Sequence, residues 1–413
     1  MKLINTRLCL QLTLSLLISA SAYSQSNYVP PAREWERRTP AAAGFDAAKL
    51  KDAVDFAIAS EARTPRNLEE AHYRSFGREP FGEAVGQFKE RGGAAGLIIR
   101  GGYIVAEWGD SSRVDMTFSV TKSFLAATVG LAYDRKMIRD LQHRVADYSA
   151  PVAPYSPGQR FDDPERFGRS PFIDLFATEH NKKITWDHLL RQTSDWEGTL
   201  WGKPEWADRP DRDASTWLTR KRNEPGTVYE YNDTRVNVLA LAALNVWRRP
   251  LPEVLRENLM DKIGASNTWR WLGYENSYVV IDGRIVQSVS GGGHWGGGMF
   301  INAYDMARFG LLVSRNGRWG NEQILGEDFL RQAKTPTPAQ PTYGFMNWFL
   351  NTERKLYPAA SETAIAHLGN GTNIVYIDPE NDIVIIARWI ENGKINEFIG
   401  KVSAALRTDS ASR

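Results

Sequence analysis

Cysteine is almost absent from this 413-residue chain, and the single one, Cys9, lies in an apolar stretch at the N-terminus. Once that stretch is removed, no disulfide, thiolate nucleophile or cysteine-based metal site is available. Charge of one sign is just as scarce. Lys and Arg number 51 against 49 Asp and Glu, a net charge of +2, and the two signs are interspersed. That balance excludes the basic surface a nucleic acid or an anionic membrane face would need. No apolar run reaches the roughly 18 residues of a membrane span; the longest, near the N-terminus, is broken by Gln11, Thr13 and Ser15. Neither a repeat of fixed period nor a low-complexity tract is present. His72, His143, His180, His188 and His294 show no spacing that converges ligands on one helical face, so they read as structural and no metal or cofactor is expected.

What is there fits an ordinary globular protein. Hydrophobic residues make up 42% and charged residues 24%, enough for one large domain or two intertwined ones. Met1-Lys2 and Arg7, the apolar run to Leu16-Leu17-Ile18, and Ala22-Tyr23-Ser24 before Gln25 form the three parts of a signal peptide over 1–24, which predicts export to the periplasm or the medium. Residues 25–44 read as a Pro-rich and charged lead-in. Apolar residues at helical spacing follow from Phe45, then Ala94–Arg100 and Tyr103–Trp108 flank Gly101-Gly102 as a hairpin. A helix follows Ser119. A long middle rich in Pro and Trp comes next, with helical pieces at 186–192, 234–247 and 252–263 and few strands. Asn373–Ile377 and Ile383–Trp389 form a second hairpin, and a closing helix runs from Ile395 to about Leu406. Neighbouring strands usually pair, so the two hairpins predict an α+β fold: one antiparallel sheet flanked by the terminal helices. Residues 45–135 and 300–413 would form the sheet-containing half and 136–299 a mostly helical insertion. Ser119 falls where one half hands over to the other, a favoured place for a cleft.

Chemistry concentrates at Ser119-Val120-Thr121-Lys122. A serine and a lysine three residues apart on a helix share a face. A serine hydroxyl needs a neighbour to take its proton, and a desolvated lysine is one such neighbour. The spacing alone is common, and a capping serine with a solvated lysine is the plain alternative.

Two further motifs follow in order: Tyr231-Asn232-Asp233, after Glu224-Pro225-Gly226-Thr227, and His367-Leu368-Gly369 before the last hairpin. With these the chain resembles the serine hydrolases related to class C β-lactamases and penicillin-binding proteins, over most of its mature length. The resemblance implies a β-lactamase/transpeptidase-like fold, Ser119 as acylated nucleophile, Lys122 as its proton-shuttling neighbour, and Tyr231 as the group exchanging protons with serine and leaving group. It also implies an oxyanion hole from the backbone N–H groups of Ser119 and Asn370. Two departures stand out. The second motif usually ends in Asn, and Asp233 brings a negative charge that would hold Lys122 protonated and shift the base role to Tyr231. The third motif is often Lys-Thr-Gly, and a partly charged His367 weakens a carboxylate anchor. A histidine there resembles the esterase, D-aminopeptidase and 6-aminohexanoate oligomer hydrolase branches.

The expectation is therefore a cofactor-free serine hydrolase acting on a small ester or amide, with Ser119, Lys122 and Tyr231 carrying the chemistry and Asp233, His367 and Gly369 supporting it. A β-lactamase or peptidoglycan D,D-peptidase, and a silent binding module, are the alternatives. Tyr229 competes with Tyr231 for the proton-exchanging role. The glycine run around His294 lacks the Lys-Ser/Thr ending of a phosphate loop and reads as a cleft wall. Trp196, Trp201, Trp206, Trp269, Trp271, Trp295 and Trp348 either pack the loops or line an acyl-chain site.

Overall fold

The computed structural model describes residues 28–155 and 172–407, so the signal peptide expected over 1–24, with Cys9, lies outside the described residues. Among those described, no helix is long and apolar enough to cross a membrane.

Gly101 and Gly102 sit at φ 61° and 87°, backbone that suits glycine and turns Ala95–Arg100 back onto Tyr103–Trp108. At the other end of the chain the Asp378 carboxylate accepts hydrogen bonds from Asn381 N and Nδ2, at 3.2 and 2.8 Å. That turn joins Asn373–Asp378 to Ile383–Arg388. The two hairpins meet as the sequence pattern predicts: Ala95–Arg100 runs antiparallel to Ile383–Arg388, with Ala95 opposite Arg388. Ile365–Gly369 and Trp348–Phe349 complete a six-stranded antiparallel sheet.

Both faces of this sheet are covered, which explains the near-continuous apolar runs in its strands. Side chains alternate between faces: Ile98, Ile374 and Ile385 point into a cluster with Leu50, Ala53, Phe398 and Val402 of the terminal helices Ala47–Ala59 and Ile395–Ala405. Leu97, Ile99, Val375 and Ile386 face Phe124 and Phe309 of the helices Thr121–Asp134 and Ala303–Ser314.

The middle of the chain holds more strand than its pattern suggests. Arg270–Ile281 pairs with Arg284–Val289, Ala153–Tyr155 and Gly298–Ile301, and the last of these pairs with Asp115–Met116, giving a second, five-stranded sheet. Its long strand was obscured in the sequence by a register shift between Gly273 and Tyr278, where Glu275, Asn276 and Ser277 interrupt the alternation. The segment predicted as a helix over 252–263 is also shorter, Leu251–Leu255 followed by a wider π-turn stretch at Arg256–Met260. Arg388 joins the sheets. Buried in the core, it donates to Asn373 Oδ1, Ile301 O and Asp115 O at 2.9, 2.7 and 2.9 Å, which fixes the strand leading into Ser119 against the main sheet.

Candidate active site

Ser119 occupies a single tight turn, Phe118–Val120, that runs directly into the helix Thr121–Asp134. Phe118 has φ 49°, a left-handed conformation that costs an L-residue roughly 1–2 kcal/mol. Its surroundings hold it there: the ring is buried with Met116, Leu68, Phe300 and Trp389. Thr117 N donates to Met299 O at 2.9 Å, and Met299 N donates to Thr121 Oγ1 at 2.9 Å. Strain of this kind collects where a side chain must be aimed, here the part-exposed Ser119 hydroxyl.

Lys122 Nζ lies 3.0 Å from Ser119 Oγ and 2.7 Å from Asp233 Oδ1. The Lys122 and Asp233 side chains are each 1% exposed, so the plain reading of a solvated lysine does not hold. Asp233 opens the helix Asp233–Trp247, and Asn232 caps it by accepting from Arg235 N at 3.0 Å. Asn232 is itself fixed, its N–H on Gln192 Oε1 at 2.8 Å and its Nδ2 on Glu205 O at 2.7 Å. A helix N-terminus favours a carboxylate. The second Asp233 oxygen accepts from Arg209 Nη1 at 3.0 Å, and Arg209 also pairs with Asp208. Asp208 in turn accepts the Asp233 backbone N–H.

These contacts set the protonation states. Burial alone would drain the proton from Lys122, but the Asp233 carboxylate and, with it, Tyr231 offset that, and the ammonium ends above the usual lysine value. Burial likewise opposes the Asp233 charge, yet Lys122 and Arg209 pull that carboxyl well below its ordinary range. Asp208 is pushed up to about 6 by burial and by the neighbouring Asp233 charge, with Arg209 opposing the rise.

The Tyr231 ring lies between two cations, with Lys122 Nζ 4.6 Å and Arg209 Cζ 5.0 Å from its centroid. Tyr229 instead packs on Tyr343 with ring centroids 5.0 Å apart, and its hydroxyl is buried. The structure thus sets Tyr231, and not Tyr229, beside Lys122. Gly369 brings the third motif to the nucleophile: a Cβ on it would meet Thr117 O at 2.1 Å and Ser119 N at 3.2 Å. Only a bare backbone passes there.

His367 differs from its expectation. Its ring points to Ser123, one turn beyond Ser119, with Nδ1 2.7 Å from Ser123 Oγ. The Ser123 hydroxyl lies 2.7 Å from Met346 O; if it donates there, Nδ1–H donates to Ser123 and Nε2 carries no proton. Burial, with nearby Lys334, drives this histidine down to about 3. It is neutral and braces the nucleophile helix rather than offering partial charge to a substrate. His294 lies on the other side of the pair's charge network. Read from sequence as structural, it donates from Nε2 to Glu79 Oε2 at 2.8 Å and brings Nδ1 within 4.0 Å of Asp233 Oδ2. Glu79, Asp208 and His294 bring potential ligand atoms within 4.8 Å of one another. The Arg209 guanidinium already sits on that Asp208 carboxylate, so a second cation there would meet like charge, and the trio reads as a hydrogen-bonded charge network.

Among the tryptophans, Trp196, Trp201, Trp269, Trp271 and Trp295 are core packing. Trp348 alone of the seven flanks a motif residue, 5.9 Å from the Tyr231 ring. Arg209, Asp208, His294 and Glu79 belong to no spacing rule and were not found from sequence. The glycine run gave one usable signal, and its Gly292 closes the site: a Cβ there would lie 1.8 Å from Asp233 Oδ1 and 2.1 Å from Lys122 Nζ. Gly292→Ala is expected to force the pair apart and lower stability in urea unfolding by about 3 kcal/mol, the order of a broken buried ion pair. Stability equal to wild type would contradict this packing.

A family model described as Beta-lactamase matches residues 81–392. Among solved structures, a Bacteroides dorei DSM 17855 protein whose beta-lactamase assignment is itself provisional shares 14% identity at TM-score 0.54, over 87% of this chain and 99% of that one. EstCE1, a hydrolase with promiscuous acyltransferase activity, shares 16% at 0.52, over 87% and 98%. A penicillin-binding protein homologue from Caulobacter crescentus shares 13% at 0.50, over 76% and 92%. At such identities these likenesses carry the fold alone. The family match spans well over half of the chain, from before the Ser119 turn to beyond the last hairpin, and on it the chain belongs to the beta-lactamase family.

Proposed function

We propose that the protein is an exported serine hydrolase that forms an acyl-enzyme on Ser119 and hydrolyses small esters or amides. The observation that carries this reading is the chain of contacts from Ser119 Oγ to Lys122 Nζ at 3.0 Å and on to Asp233 Oδ1 at 2.7 Å. In acylation, Ser119 Oγ bonds to the substrate carbonyl carbon while its proton passes to the Lys122–Tyr231 pair. Because Asp233 keeps Lys122 protonated, Tyr231 takes the base role and Lys122 stabilises the charge that develops. Collapse of the tetrahedral intermediate breaks the bond to the leaving alcohol or amine, which takes that proton. Water then repeats the sequence in reverse and releases the acid. Backbone N–H groups of Ser119 and Asn370 would hold the oxyanion, each worth about 3 kcal/mol.

The β-lactam reading loses support at His367, since a neutral, buried imidazole bonded to Ser123 gives a carboxylate no anchor. Against a silent module stands the cost of keeping a buried lysine and two buried aspartates, with an arginine paired to them, around one serine.

Ser119→Ala is expected to bring hydrolysis of 4-nitrophenyl acetate to the buffer rate, a fall of ~10³-fold or more, with the thermal transition close to wild type. Turnover retained in that variant would sink the assignment. The leader supports export, and intact mass of the recovered protein should begin at Gln25; a chain kept in the cytoplasm with residues 1–24 attached would contradict it.

A further inference from the structure

Asp233 holds two cations, and only one of them touches Ser119. The other, Arg209, lies in a loop ahead of the helix that Asp233 opens and adopts φ 52°, a left-handed conformation unfavourable to arginine. A glycine would suit that backbone. The chain keeps a guanidinium there whose Nη1 bonds Asp233 and Asp208 and whose Cζ lies 5.0 Å from the Tyr231 ring centroid and 5.3 Å from that of Phe76. The side chain is 32% exposed, so it stands between the buried carboxylates and solvent.

We propose that Arg209 is a positioning residue for acyl transfer: by occupying Asp233 Oδ2 and lying over the Tyr231 ring, it balances the carboxylate charge beside the Lys122–Tyr231 pair and so sets the acid limb of the reaction. This rests on the hydrolase reading given above. Without Arg209, two carboxylates would face one lysine, and any acceptor in that field binds its proton more tightly. No other neighbour supplies the missing charge. Around the pair stand the Ser119 hydroxyl, Asp233 and, behind it, Asp208. His294 is kept neutral by burial and donates to Glu79. The phenols of Tyr229 and Tyr343 beside Tyr231 are held neutral by burial. The rise of Asp208 to about 6, caused by burial, opposed by Arg209 and increased by Asp233, is consistent with a carboxylate pair in need of that guanidinium.

The test is the pH profile of kcat/KM for 4-nitrophenyl acetate, measured for wild type, Arg209→Gln, Arg209→Lys and Asp208→Asn, with Ser119→Ala as background. Arg209→Gln should move the acid limb up by about one pH unit, and Arg209→Lys should restore more than half of that shift. Asp208→Asn, which leaves Arg209 wholly to Asp233, should move the limb to lower pH. A limb that stays in place in Arg209→Gln while the plateau falls would reduce Arg209 to packing and overturn the proposal. If Arg209→Gln does not fold, an unmoved limb in Asp208→Asn overturns it equally. Wild type without any Ser119-dependent turnover would remove the hydrolase reading and this inference together, whereas turnover with unmoved limbs removes this inference alone.

Discussion

A lysine and a carboxylate 2.7 Å apart, each 1% exposed, set the terms for the structure around them. Taking two charges out of water costs several kcal/mol per ion, and the pair recovers this only if every remaining lone pair and proton is met. Here each need is answered from a different part of the chain. Ser119 accepts from Lys122, the Asn232-capped helix start favours the Asp233 charge, and Arg209 takes the second oxygen. Gly292 lets the wall close without a side chain in the way.

The two sheets make this convergence possible. The main sheet supplies Gly369 and the residue after it from the end of its strand Ile365–Gly369, and the second sheet supplies Met299 and the glycine turn before it. Arg388 clamps both to Asp115, four residues ahead of Ser119. Strain at Phe118 persists because these packed elements leave the turn no room to relax. The His367–Ser123 contact then fixes the nucleophile helix one turn further along.

Much of this was legible in the sequence, for physical reasons that differ by element. The hairpins announced themselves through their turn residues, Gly101-Gly102 in one and Asp378-Pro379-Glu380-Asn381-Asp382 in the other, and through apolar runs, because turn geometry and strand burial are local demands. Ser119 and Lys122 were visible because three-residue spacing puts them on one helical face. Tyr231, Asp233 and Gly369 were reached through family motifs, since no local rule ties them to Ser119. The second sheet was hidden because its strands are short or bulged and exist only through tertiary pairing. Arg209 was beyond reach: it bonds Asp233 across 24 residues from a loop without periodicity. His367 illustrates a subtler limit, for composition gives a histidine's ordinary acidity and only burial reveals that it is held neutral.

The most direct test of the account is intact-mass spectrometry of the folded protein after a fluorophosphonate probe, with peptide mapping of any adduct. The account predicts one adduct per chain, on Ser119. No adduct on folded protein, or an adduct on another serine, would contradict the claim that the Lys122–Asp233 pair serves an activated Ser119.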